Sequence, residues 1–192
     1  LLNDIDNVII ECDSRLLNLY KRSFPKYSEK FVSLGSITND DEKFKKINNL
    51  IYAGSLGRYY RKNIKDFKNN SFLKVDEKKL EEMKRKLSIY KKKYKIGLSW
   101  KSFSDKFASD KSLNLKDLNK IFSLTNCDIF NLQYGVVEDE INSFNNTTKN
   151  KLLSMEGLDL INDFEGIASL LKSLDVFVSV SNSTAHLAGA LG

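Results

Sequence analysis

Histidine, tryptophan and proline occur once each, and cysteine twice, in a chain of 192 residues. Cys12 and Cys127 stand far apart with no Cys-Xaa-Xaa-Cys pair, which excludes a disulfide framework and a cysteine-based zinc site and fits a reducing cytoplasm. His186 has no neighbouring carboxylate or thiol, so no metal and no metal cofactor is expected. No apolar run approaches the roughly 20 residues that span a bilayer, and no basic stretch followed by a hydrophobic one opens the chain. Repeats of the solenoid kind are also missing. Lys and Arg number 31 against 25 Asp and Glu, a balance of +6. That bias permits anionic lipid, and so peripheral membrane association, without requiring it. The lysines collect on one helix and in loops among acids, without aromatic interleaving, so nucleic acid is not an expected partner. The chain begins Leu1-Leu2 and ends Ala190-Leu191-Gly192 inside a helical pattern, and a fragment is expected.

What is present is alternation. Val8-Ile9-Ile10 is a short β-branched run, and Asp13 stands as an N-cap ahead of Leu16, Leu17, Leu19 and Tyr20, so a strand runs into a helix. Pro25 closes that helix, and Phe31 to Gly35 makes a second short strand. Between Asp76 and Lys92, Leu80, Met83, Leu87 and Tyr90 fall at helical spacing with acids early and lysines late, matching the helix dipole. Lys91 to Lys93 read either as a phosphate patch or as a solvated last turn. Strands at Tyr94–Trp100, Cys127–Gln133 and Asp175–Val180 then alternate with helices at Leu113–Leu124, Phe164–Leu174 and from Ser183. The asparagine-rich stretch Asn142–Lys151 reads as a surface loop. This rhythm implies an α/β fold with parallel sheets covered on both faces, divided as residues 1–72, a linker helix over 73–93, and residues 94–192.

The chemistry concentrates at strand ends. In Asp175 to Gly192 a buried strand meets Ser181, Asn182, Ser183 and Thr184 and turns at once into a helix. Free N–H groups at such a start point past the C-terminal edge of the sheet, where the dipole favours a phosphate or diphosphate. Asn182 or Ser183 caps the helix, Ser183 and Thr184 offer hydroxyls, and His186 lies one turn in. An ordinary capped helix with a structural histidine is the plainer alternative. The strand ending in Ser99, Trp100 and Lys101 brings a lysine able to neutralise a phosphate to the same edge, with Trp100 reading equally as core. The third strand end offers Gln133 and Tyr134.

Together, Gly-Leu-Ser-Trp-Lys101, Phe130-Asn-Leu-Gln133, Asp163-Phe-Glu-Gly-Ile-Ala-Ser-Leu and Leu174 to Gly192 resemble the nucleotide-sugar-binding domain of GT-B glycosyltransferases. The nearest likeness is to heptosyltransferases and to enzymes that follow tetratricopeptide repeats, with a distant similarity to O-linked N-acetylglucosamine transferases. Ile10 to Arg15, Arg22 to Pro25 and Gly54 to Arg58 resemble the end of the partner domain in the repeat-associated group. The resemblance implies two Rossmann-like domains, both incomplete here. It implies metal-independent sugar transfer from a nucleoside-diphosphate-sugar donor, a substrate and not a cofactor, to a saccharide or protein hydroxyl. Asn182, Ser183, Thr184, His186 and Lys101 would then receive the diphosphate, and Ser99, Trp100, Gln133 and Ser181 would line the crevice. The chain departs from the usual pattern at Ser181-Asn182, where Asp precedes Thr or Ser, and at Gly166-Ile167, where Asp-Thr is common. No catalytic base is assigned. A non-catalytic sugar-nucleotide or polysaccharide-binding module derived from such an enzyme is the alternative.

Overall fold

The computed structural model describes residues 8–37, 42–45, 47–67, 70–103 and 109–192. The chain divides into two compact units, Leu1–Phe72 and Leu73–Gly192. Both are mixed α/β, with parallel strands.

In the first unit, β1 (Ile10–Cys12) leads into α1 (Ser14–Ser23), and a 3-10 turn over Pro25–Lys30 delivers the chain to β2 (Phe31–Ser33). β1 and β2 pair in parallel, Ile10 opposite Phe31. The first strand therefore sits two residues later than the apolar run Val8–Ile10 suggests. Asp13 caps α1 by accepting from the Arg15 N–H at 2.9 Å. Hydrogen bonds from the Arg15 guanidinium and main chain hold its carboxyl down to about 2. Leu19 and Phe31 are the buried apolar residues here, and Tyr20 and Phe24 stack on Phe31 at 5.6 and 5.8 Å between centroids. Burying one such side chain contributes about 1.5–3 kcal/mol, so Leu19→Ala or Phe31→Ala is expected to weaken this small layer. Two four-residue helices follow, α2 (Glu42–Lys45) and α3 (Gly57–Tyr60).

The second unit holds a four-stranded parallel sheet of β3 (Tyr94–Ser99), β4 (Cys127–Asn131), β5 (Leu152–Leu153) and β6 (Val176–Ser179), in the order β5-β4-β3-β6. All of β4 and the last four residues of β3 are buried, the continuous burial of strands covered on both sides. On one face, Ile96, Leu98, Trp100 and Ile129 pack with Leu115, Phe122, Ile141 and Phe144. These last four come from a 3-10 turn (Leu115–Leu118), α5 (Asn119–Phe122) and α6 (Glu138–Thr147). On the other side, α4 (Glu77–Leu87) packs on α7 (Phe164–Lys172), and α7 on α8 (Ser183–Leu191). Just beyond α4, Tyr90 meets Phe130 of β4 edge-on at 4.9 Å.

Three elements differ from the sequence reading. The helix taken as a linker belongs to the second unit, where Met83 and Leu87 are buried. Leu113–Leu124 is not one helix, because Asn114 and Asp117 close a reciprocal capping box on a tight 3-10 turn before α5 begins. Asn142–Lys151 is not a surface loop: its first half continues α6, whose Ile141 and Phe144 are buried three residues apart on one face. Its asparagines serve as main-chain partners. Asn145 bonds both the N–H and the carbonyl of Leu152, extending the ladder past the outer edge of the two-residue strand β5. Asn150 donates to the carbonyls of Phe122 and Leu124. Among the described residues no helix is long and apolar enough to cross a membrane.

Candidate functional site

The winding of the sheet creates the site. From β3 the chain moves outward through β4 and β5, then returns to the opposite side of β3 as β6. Where the direction of winding reverses, connections leave two adjacent parallel strands on opposite sides, and a crevice opens at their carboxyl ends. Here those ends are Ser99 and Ser179, paired in register, and the residues beyond them are Trp100, Lys101 and the start of α8.

Asn182 spans this crevice. It is buried, and its Oδ1 accepts from the Ala185 N–H at 3.0 Å, capping α8. Its Nδ2 donates to Ser99 Oγ at 2.7 Å and to the Lys101 carbonyl at 3.2 Å. The same amide thus starts the helix and ties it to β3. Gln133 closes the structure from the other side. It is 1% exposed, and its Oε1 accepts from Ser99 Oγ at 3.0 Å, the Trp100 N–H at 2.8 Å and the Lys101 N–H at 2.6 Å. Its Nε2 donates to the Tyr134 carbonyl, and its own N–H is taken by Asn131 Oδ1. Both amides therefore use their polar atoms in shaping the edge.

Lys101 carries the cation, and its ammonium lies 2.6 Å from Glu140 Oε2. Glu140, on α6, also accepts from the indole N–H of Trp100 and the N–H of Leu115, both at 3.2 Å. Partial burial pushes the Glu140 carboxyl up, but these three hydrogen bonds and the lysine charge outweigh it and hold the group below its ordinary value.

The nine residues singled out from the sequence fall into three groups. Ser99, Trp100, Gln133, Asn182 and Thr184 are buried, the first four forming the connected polar framework just described. Ser181, Ser183 and His186 are exposed at the start of α8, the positions open to a ligand. Lys101 stands between, tied to Glu140. Glu140 is outside the residues that the sequence pattern singles out, although Val137, Ile141 and Phe144 at four- and three-residue spacing mark the helix that carries it. A cleft of about 300 Å³ lies beside the end of β4, bounded by Gln133, Tyr134, Glu138, Met155, Asp159 and Ile161. Among the described residues no group of three or more His, Cys, Asp or Glu is placed to hold a metal ion.

The chain is 26% identical over 191 residues to Protein FlbA of Caulobacter vibrioides, a match covering 94% of this chain and 32% of that protein. The chain thus spans about a third of the length of the curated relative it matches. No family model matches it, and no solved structure does.

Proposed function

We propose that the second unit binds a nucleoside-diphosphate sugar, and that the protein transfers the sugar to a hydroxyl of a saccharide or protein acceptor. The family resemblance suggests the reaction, and one observation in the fold carries the binding half. The reversal between β3 and β6 sets the N-terminus of α8, with Ser183 and the exposed His186, at the same sheet edge as Lys101. The first N–H groups of a helix have no partner within it and suit a diphosphate, toward which the Lys101 side chain would turn from Glu140. The cleft beside Gln133 lies on the β4 side of β3. It has apolar walls in Met155, Leu158 and Ile161 and carboxylates in Glu138 and Asp159, a composition that suits a nucleoside.

In this reading the chain's own groups orient the donor and stabilise charge on the departing diphosphate. A second reading, a sugar-nucleotide-binding module without catalysis, is favoured by the engagement of Asn182 and Gln133 in internal hydrogen bonds. Titration of the protein with UDP, GDP, ADP and CMP, alongside His186→Ala, tests the shared premise. Selective binding of one diphosphate, weakened in His186→Ala, is the expected result, and absence of binding by folded protein overturns both readings. Turnover of the matching labelled donor then separates the enzyme from the module.

A further inference from the structure

We propose that Glu140 is a positioning residue that governs the anion site: it holds the Lys101 ammonium at α6 while the site is empty and releases it when an anion arrives. The inference rests on the donor-site reading above and concerns the regulation of that same site.

Four observations carry it. First, the main chain of Lys101 is fixed on both sides, its N–H by Gln133 and its carbonyl by Asn182. Only the flexible four-carbon stem is left to move, and a direct bond to the residue capping α8 keeps the helix start close to that stem. Second, Glu140 keeps partners when the lysine leaves. The Trp100 indole and the Leu115 N–H both point at its carboxylate, so release strands no buried charge, the event that makes breaking a buried ion pair so unfavourable. Third, the pair is partly exposed on both sides, 32% for Lys101 and 26% for Glu140. Ion pairs in that setting are weak and exchangeable, and a diphosphate with two or more negative charges attracts the ammonium more strongly than one carboxylate does. Fourth, α8 has no cation of its own at its start. Residues 175–192 contain neither lysine nor arginine, and the Lys172 ammonium is bonded to the Leu191 and Gly192 carbonyls at the opposite end of the helix.

Glu140 therefore competes with the ligand for one cation. The probe is inorganic pyrophosphate, titrated calorimetrically into the wild-type protein, Glu140→Gln, Lys101→Met and the double variant. Glu140→Gln is expected to bind about five- to tenfold more tightly, Lys101→Met more weakly, and the gain from Glu140→Gln is expected to vanish in the Lys101→Met background. A purely structural role for Glu140 would loosen the site with or without the lysine. Wild-type protein that binds pyrophosphate while folded Glu140→Gln binds equally or less well overturns this inference and leaves the donor site standing. Tightening that persists without Lys101 does the same. No binding by any folded form overturns the donor site and this inference with it. Should Glu140→Gln fail to fold, the ¹⁵N resonance of the Lys101 ammonium in wild-type protein decides. A shift on adding pyrophosphate supports release from Glu140, and an unchanged resonance at saturation overturns it.

Discussion

Asn182 and Ser99, 83 positions apart in sequence, are joined by a 2.7 Å hydrogen bond across the point where the sheet reverses its winding. The bond makes the start of α8 and the end of β3 one mechanical piece. Asn182→Ala removes a helix cap and leaves the Lys101 carbonyl and Ser99 hydroxyl short of a donor. A loss of about 2–4 kcal/mol is expected, read as a lower urea midpoint with an unchanged slope.

Gln133 serves three donors through one oxygen. Replacing it by Met preserves bulk and leaves all three without their acceptor, with an expected loss of about 3–4 kcal/mol. Gln133→Glu retains the accepting oxygen but buries a carboxyl and sets its second oxygen against the Tyr134 carbonyl, so it too is expected to lower stability in chemical unfolding. Equal stability of Gln133→Met and the wild type would show that the network contributes nothing net.

Gly135 sits in the turn between β4 and α6 with φ of +92°, a conformation that side chains disfavour. A Cβ there would also press on the Phe103 ring, which lies against Tyr134 at 5.5 Å. Gly135→Ala is expected to destabilise by about 1–3 kcal/mol, measured by thermal unfolding. Since Tyr134 and Gly135 border the cleft, the proposal that this cleft takes a nucleoside predicts weaker nucleotide binding in the same variant, beyond any change in stability.

Asp13 gives the first unit a dependence on acid pH. Its carboxyl stands at about 2 in the folded chain against an ordinary 3.8. A lowered folded value stabilises the fold above the ordinary value, and this contribution is lost as pH falls from there toward 2. Carbon-detected NMR is expected to show Asp13 titrating at about 2, below its ordinary value. Its low value is expected to return to the ordinary range in Arg15→Ala, because the guanidinium is its first cause.

Much of the second unit was legible because its strands are continuous apolar runs and its helices carry clear caps. Asn182, Asp163 and Asp76 each cap the helix that follows them. The stretch after Asn142 was misread because asparagine is common in loops, whereas here two asparagines replace missing main-chain partners around β5 and α5. That the strand ends and the start of α8 share one sheet edge was legible. Strand ends and a helix start identify the edge, but the sequence does not reveal that Gln133 and Asn182 face inward to each other's neighbours. Glu140 was illegible for the same reason: its meaning depends on Lys101, 39 positions earlier in chain order.

The double fixing of the Lys101 main chain also bears on the entropy of recognition. Folding has already ordered the backbone at this edge, so an anion bound there as proposed would cost up to about 2 kcal/mol of rotamer freedom at Lys101 and no backbone ordering beside it. On the proposed reading, the interaction free energy would then go into ordering side chains and not into ordering this stretch of main chain.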